Sequence, residues 1–283
     1  MEYKTLNNGV EMPMLGYGVY QVDPADCERC VTDALEVGYR SIDTAQAYYN
    51  EEGVGKAIAK SGIAREDLFI TTKIWISNAG EQKAADSIKR SLEKLDTDYI
   101  DLLLIHQPFS DYYGTYRAME KAYADGLVHT IGVSNFLSDR LADICNFAEV
   151  TPAVDQVETH VFQQQKKLRR TLDKYGVAHM AWGQFAEGKN GYFTNPVLAA
   201  IGAKYGKSTA QVALRFLIQN GVIVIPKSTH MDRMRENLDV FDFTLDHDDM
   251  DAIAALDEGK SLFFDHHDGE SIEGILAFGK QAA

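Results

Sequence analysis

From about residue 14 onward the chain alternates short apolar, β-prone runs with amphipathic helical stretches, eight times over, and no other feature restricts its fold as much. The runs are MLGYGV, YRSID, LFITTKIW, YIDLLLIH, LVHTIGVS, AVDQVE, VAHMAW and VIVIP. Between them lie helical stretches over about 25–37, 51–60, 80–95, 113–124, 138–148, 164–175 and the pair 195–205 and 208–220. Helices near 231–238 and 247–256 follow the last run. Continuous apolar runs such as LLLI and VIVI suit parallel strands covered on both faces, and parallel neighbours need crossovers of this length. Pattern alone also permits a doubly wound sheet, but eight strand–helix units is the count of an α/β (β/α)8 TIM barrel. An Asn8-Gly9 turn between two short extended segments predicts an N-terminal β-hairpin. Residues 261–283 read as a mixed C-terminal tail across a barrel face. No composition break or Pro/Gly/Ser-rich linker divides residues 1–283, so a single domain is expected.

The opening MEYKTLNNGVEMPMLG is interrupted by Glu2 and Lys4, which excludes a signal peptide or spanning helix there and makes a membrane partner unexpected. Three cysteines are too few for a disulfide framework, and a cytoplasmic location is expected. Cys27 and Cys30 form a lone CxxC; a metal needs a second ligand pair, so two small residues one helical turn apart is the preferred reading. A formal charge of −14 and a pI near 5.0 oppose binding to a nucleic-acid backbone. A closed barrel has no open edge that demands a partner, which makes a monomer the default.

Chemistry in such barrels sits at the C-terminal ends of the strands. The apolar runs here end in polar residues: Asp43, Lys73, His106, Ser134 with Asn135, Gln156 and Lys227, expected to line one mouth. A buried carboxylate and ammonium are costly unless paired, and Asp43 and Lys73 fall on neighbouring strands. Tyr48, five residues after Asp43 in DTAQAYYN, is the candidate acid, with Tyr49 competing. An adjacent ammonium favours the phenolate and makes proton donation to a nascent alkoxide feasible, the acid step of a carbonyl reduction. His106 is then expected to hydrogen-bond the carbonyl oxygen.

Three segments resemble the signatures of the aldo-keto reductase superfamily: GYRSIDTAQAYYNEEGVG at 38–55, IGVSNF at 131–136 and IPKSTHMDRMREN at 225–237, supported by KIW and LLLIHQP. The resemblance implies a catalytic tetrad of Asp43, Tyr48, Lys73 and His106. It implies that Ser134, Asn135 and Gln156 hold a nicotinamide carboxamide above Trp182. Lys227, Ser228 and Arg233 become ligands of an adenosine 2′-phosphate, with Glu236 and Asn237 on the adenine, so NADPH is expected over NADH. Tyr20, Trp75, Gln107 and Phe109 would face a small aldehyde or ketone, although ordinary rim packing explains them equally well. Within the superfamily, length and tail look most like bacterial members related to 2,5-diketogluconate reductases, methylglyoxal reductases and prostaglandin F synthases.

The sequence also departs from the family pattern. His129 stands where a basic or amide residue is usual, GQFAEG after Trp182 replaces Ser-Pro-Leu, and the short tail implies loose closure over substrate. No GxGxxG follows the first strand. Competing functions fit these residues less well. A Schiff-base aldolase using Lys73 conflicts with its pairing to Asp43. A cofactor-binding sensor conflicts with the complete tetrad. A metal hydrolase conflicts with scattered histidines, His266-His267 being expected to be solvated, and no metal site is expected.

Overall fold

The protein is described by a computed structural model over residues 1–281. The hairpin pairs β1 (Tyr3–Thr5) with β2 (Glu11–Pro13) around Gly9, whose φ of 84° suits the turn. Asn7 and Asn8 bond the carbonyls of Pro152 and His129, which precede barrel strands, so the hairpin closes the N-terminal end of the barrel.

Eight parallel strands follow: β3 (Tyr17–Gly18), β4 (Ser41–Asp43), β5 (Phe69–Ile74), β6 (Leu102–Ile105), β7 (Ile131–Ser134), β8 (Val154–Glu158), β9 (Ala178–Trp182) and β10 (Ile223–Val224). Each pairs with the next in sequence. A parallel bridge between Leu15 and Val224, with Gly16 N donating to Val224 O at 2.8 Å and Val224 N to Met14 O at 3.0 Å, joins first to last. The fold is therefore a (β/α)8 barrel. Gly18 sits on this seam, where a Cβ would stand 2.7 Å from the Ile225 carbonyl, so only glycine lets the two backbones approach.

The outer ring comprises α1 (Pro24–Val37), α2 (Glu51–Lys60), α3 (Glu81–Leu95), α4 (Tyr112–Ala124), α5 (Ser138–Phe147), α6 (Lys166–Tyr175), α7 (Pro196–Tyr205), α8 (Thr209–Gln219), α9 (Met231–Leu238) and α10 (His247–Ala254). Local signals explain the boundaries. Asp23 caps α1, Pro24 opens it and Gly38 ends it in the left-handed region, while Ser208 with Gln211 and Asp246 with Asp249 form capping boxes on α8 and α10. Strand residues are buried on both faces, as parallel sheets under helices require. The tail, mixed in sequence pattern, forms a further helix, α11 (Gly269–Gln281). Among the described residues no helix is long and apolar enough to cross a membrane.

Candidate active site

Parallel strands all point one way, so the residues that end them surround a single mouth. There a cavity of about 890 Å3 is lined by Asp43, His106, Ser134, Asn135, Gln156, Trp182 and Lys227 from the strand ends and by Tyr48 from the following loop.

Lys73 lies beneath this floor, fully buried. Its ammonium donates to Asp43 Oδ1 at 2.5 Å, to the Thr44 carbonyl at 2.9 Å and to the Tyr48 hydroxyl at 3.3 Å. Burial draws Lys73 below its ordinary value, opposed by the Asp43 carboxylate. The second Asp43 oxygen accepts from Gln156 Nε2 at 2.8 Å. An otherwise prohibitive burial of charge is thus offset by pairing and by hydrogen bonds to the remaining polar positions.

The loop after β4 decides between the two tyrosines. Gln46–Tyr48 form one turn of 3-10 helix that ends when Tyr49 takes φ 56°, which turns Tyr49 outward and leaves Tyr48 over the mouth. Two residues hold this loop. Gln46 Oε1 accepts from Trp75 N at 3.0 Å and Asn78 Nδ2 at 2.8 Å; Asn50 accepts from Thr44 Oγ1 at 2.8 Å and donates to Val19 O at 3.0 Å. Neither carries a signal in the sequence, where both look like ordinary loop amides.

One electrostatic expectation is corrected. The neighbouring ammonium alone would favour the phenolate, but burial first, then Asp43 and Tyr20, hold the Tyr48 phenol well above its ordinary value. The Lys73 charge is largely answered by the closer Asp43. The His106 ring packs edge-on to Tyr48 and Trp75, at centroid distances of 5.5 and 4.9 Å, and its buried Nδ1 has no hydrogen-bond partner. Burial, then Lys73, keep this imidazole well below its ordinary value, so it is neutral.

A second set forms the adjacent wall. Asn135 adopts φ 64°, a conformation asparagine tolerates, and from it Nδ2 donates to the His106 carbonyl at 3.0 Å and to Ser134 Oγ at 3.2 Å. Its Oδ1 accepts from Trp182 Nε1 at 2.8 Å. Lys227 projects from the segment after β10 and is exposed. Ser228 is buried, its hydroxyl accepting from His230 N at 3.1 Å, immediately before α9. On α9, Arg233 is exposed, whereas Arg235 is engaged by Asp232 at 3.1 Å; Glu236 is half-buried and Asn237 buried. Ser228, Arg233, Glu236 and Asn237 are not among the residues that line the cavity.

Of the four rim candidates, Tyr20, Trp75 and Gln107 line the cavity. Phe109 stands behind it, stacked on His266 at 6.0 Å. The reading of a loosely closing tail is corrected. Glu158, at the end of β8, accepts from Ser261 Oγ at 2.5 Å and Leu262 N at 2.9 Å, and His160 Nε2 lies 3.0 Å away. Past this clamp Phe263 and Phe264 pack on Trp182, and Ser271, Gly274 and Ile275 of α11 complete the cavity wall. His266 is likewise not solvated: it is half-buried, meets Gln107 Oε1 at 3.1 Å, and burial pushes it down to about 4.

Residues 12–258 match the family model described as the Aldo/keto reductase family. This chain belongs to that family. It is 47% identical to glyoxal reductase of Bacillus subtilis over 91% of this chain and 93% of that protein, and 42% identical to methylglyoxal reductase DkgA of Escherichia coli over 91% and 94%. An aldo-keto reductase from Bombyx mori solved in complex with NADP superposes with a TM-score of 0.89 at 34% identity, covering 95% of this chain and 96% of that one. The aldo/keto reductase described here is accordingly an oxidoreductase acting on small-molecule carbonyl compounds.

Proposed function

We propose that this enzyme reduces aldehydes or ketones to alcohols using NADPH, with Tyr48 as the general acid. The observation that carries the reading is the convergence of the Tyr48 hydroxyl, 3.3 Å from Lys73, and the neutral His106 ring on one cavity that also exposes Asn135 and Gln156.

The residues present fit the dinucleotide. Ser134, Asn135 and Gln156 supply the donor and acceptor set that a carboxamide needs, and the flat Trp182 indole offers a stacking surface. Lys227 and Arg233, with the Ser228 hydroxyl, suit a phosphate better than a bare ribose hydroxyl, which favours NADPH over NADH. When bound, NADPH supplies the hydride.

The chain's own residues do the remaining work. His106, neutral because burial and Lys73 disfavour its charge, can donate an N–H to the carbonyl oxygen without transferring a proton. Tyr48 stays protonated until charge develops on that oxygen, then delivers its proton to the forming alkoxide. Lys73 stabilises the phenolate left behind, and Asp43 fixes Lys73. Tyr20 and Trp75 line the same cavity.

The test is Tyr48→Phe, followed by loss of reduced-nicotinamide absorbance with a panel of aldehydes, dicarbonyls and keto sugars. The expected kcat is lower by about 10²–10⁴-fold, with NADPH binding retained by fluorescence. A fully active variant removes Tyr48 from the acid role.

A further inference from the structure

Lys227 and Arg233, the two cations assigned to the 2′-phosphate, are exposed, and among the described residues neither has an ion pair or a side-chain hydrogen bond of its own. The neighbouring Arg235, by contrast, is engaged by Asp232 at 3.1 Å. Where the two free charges stand is therefore decided by the backbone that carries them.

That backbone is gripped at two points by buried tyrosines. The hydroxyl of Tyr17, on β3, donates to the Ser228 carbonyl at 2.6 Å, next to Lys227. The hydroxyl of Tyr39, just past the end of α1, donates to the Met234 carbonyl at 3.0 Å, next to Arg233. Both rings are fully buried and meet edge-on, with centroids 5.7 Å apart and planes at 67°, so a single aromatic pair serves both grips. Between them the Ser228 hydroxyl accepts from His230 N at 3.1 Å, which ties the segment to the start of α9.

Packing alone asks only for the rings. A buried phenol costs stability unless its hydroxyl finds a partner, and phenylalanine fills the same space without that demand. Burial, reinforced at Tyr17 by Cys30 and Cys27, holds both phenols above their ordinary value, so each hydroxyl stays a donor to its carbonyl.

We propose that Tyr17 and Tyr39 are positioning residues for the 2′-phosphate, and that their hydroxyls, acting through the Ser228 and Met234 carbonyls, set how strongly the enzyme prefers NADPH to NADH. This role rests on the NADPH reading above. A displacement of about 0.5 Å degrades a preorganised contact. A cation that drifts from the phosphate weakens NADPH alone, because NADH has no 2′-phosphate to lose.

Tyr17→Phe and Tyr39→Phe keep each ring and remove the hydroxyl. Tyr116→Phe is the matched control: Tyr116, on α4, is fully buried and its hydroxyl donates to the Val150 carbonyl at 2.9 Å, away from the cofactor residues. Dissociation constants for NADPH and NADH are measured without substrate, by quenching of protein fluorescence, and folding stability by chemical denaturation. The expected result is a Kd for NADPH raised about threefold to tenfold in each of the first two variants, the worth of one hydrogen bond, with Kd for NADH within about twofold of wild type. Tyr116→Phe is expected to lose stability to a similar extent and to keep the wild-type ratio of the two constants. If one tyrosine variant does not fold, the other decides. A ratio unchanged in Tyr17→Phe and Tyr39→Phe, or shifted as far in Tyr116→Phe, overturns the positioning role and leaves the phosphate site standing. A wild type that binds the two cofactors equally, or binds neither, overturns the phosphate reading itself, and the positioning role with it.

Discussion

Gln156 Nε2 donates to Asp43 Oδ2 at 2.8 Å, across 113 residues of sequence, and so ties the proposed carboxamide wall to the buried ion pair. Both Asp43 oxygens are thereby occupied, one by Lys73 and one by Gln156. Asp43→Ala strands the Lys73 ammonium in the core, and chemical denaturation is expected to show a loss of about 3–5 kcal/mol. The double variant Asp43→Ala with Lys73→Met, which leaves no buried charge, should recover most of it; no recovery refutes the assignment of the loss to an unpaired charge.

The pH profile follows from two displaced groups. His106 is held well below 6.5 and Tyr48 well above 10.0, so one is neutral and the other protonated throughout the range between. The kcat/KM profile is therefore expected to be flat from about pH 7 to 9. An inflection near the ordinary histidine value, lost in His106→Gln, would contradict it. For stability the sign is that of a depressed histidine. The neutral ring favours the fold above the unfolded-state value of 6.5, and this contribution is lost as pH falls below it.

Asp155 alternates with Gln156 along β8 and so points outward beneath α5, fully buried, with neither oxygen in a well-formed hydrogen bond. Burial raises it well above 3.8, against a smaller pull from the Phe136 backbone N–H. The unfolded chain ionises above 3.8 while the folded one does not, so wild-type stability declines as pH rises from there. Asp155→Asn removes that decline. Between pH 4 and 7.5 its unfolding free energy is expected to gain about 1–3 kcal/mol relative to wild type, read from denaturation curves at several pH values. Parallel pH dependences for the two proteins would show that Asp155 is ionised in the fold.

Cofactor choice is expected to reside in Lys227 and Arg233. Replacing either with alanine should raise KM for NADPH by about tenfold, the worth of a charge-assisted contact, and leave KM for NADH within about twofold. Equal weakening for both cofactors would place these cations on a group the two share.

Much of this site is legible in the sequence because its chemistry is expensive in a core. A lysine and an aspartate that end adjacent apolar strands are tolerable there only as partners, so Lys73 and Asp43 can be paired from their positions alone. What pattern does not supply is direction. Tyr48 and Tyr49 are equivalent as residues, and only the left-handed φ at Tyr49 separates them. The expected sign at Tyr48 fails because proximity to Lys73 counts for less than the depth of burial and the shorter contact between Lys73 and Asp43. The tail is opaque for a related reason. Its anchor, Glu158, lies about a hundred residues upstream at a strand end with no local signature, so neither the clamp on Ser261 nor the partners of His266 can be read from the chain. Phe109 sits in the right loop but faces His266 instead of the cavity.

The Leu15–Val224 bridge has a consequence for how the molecule is made. The first barrel strand leaves the ribosome early and its final neighbour more than two hundred residues later, so during synthesis β3 and each newly added strand present unpaired backbone. Until Val224 emerges the nascent sheet is an open crescent with two sticky margins, and sealing that short seam ends its exposure to association with other chains.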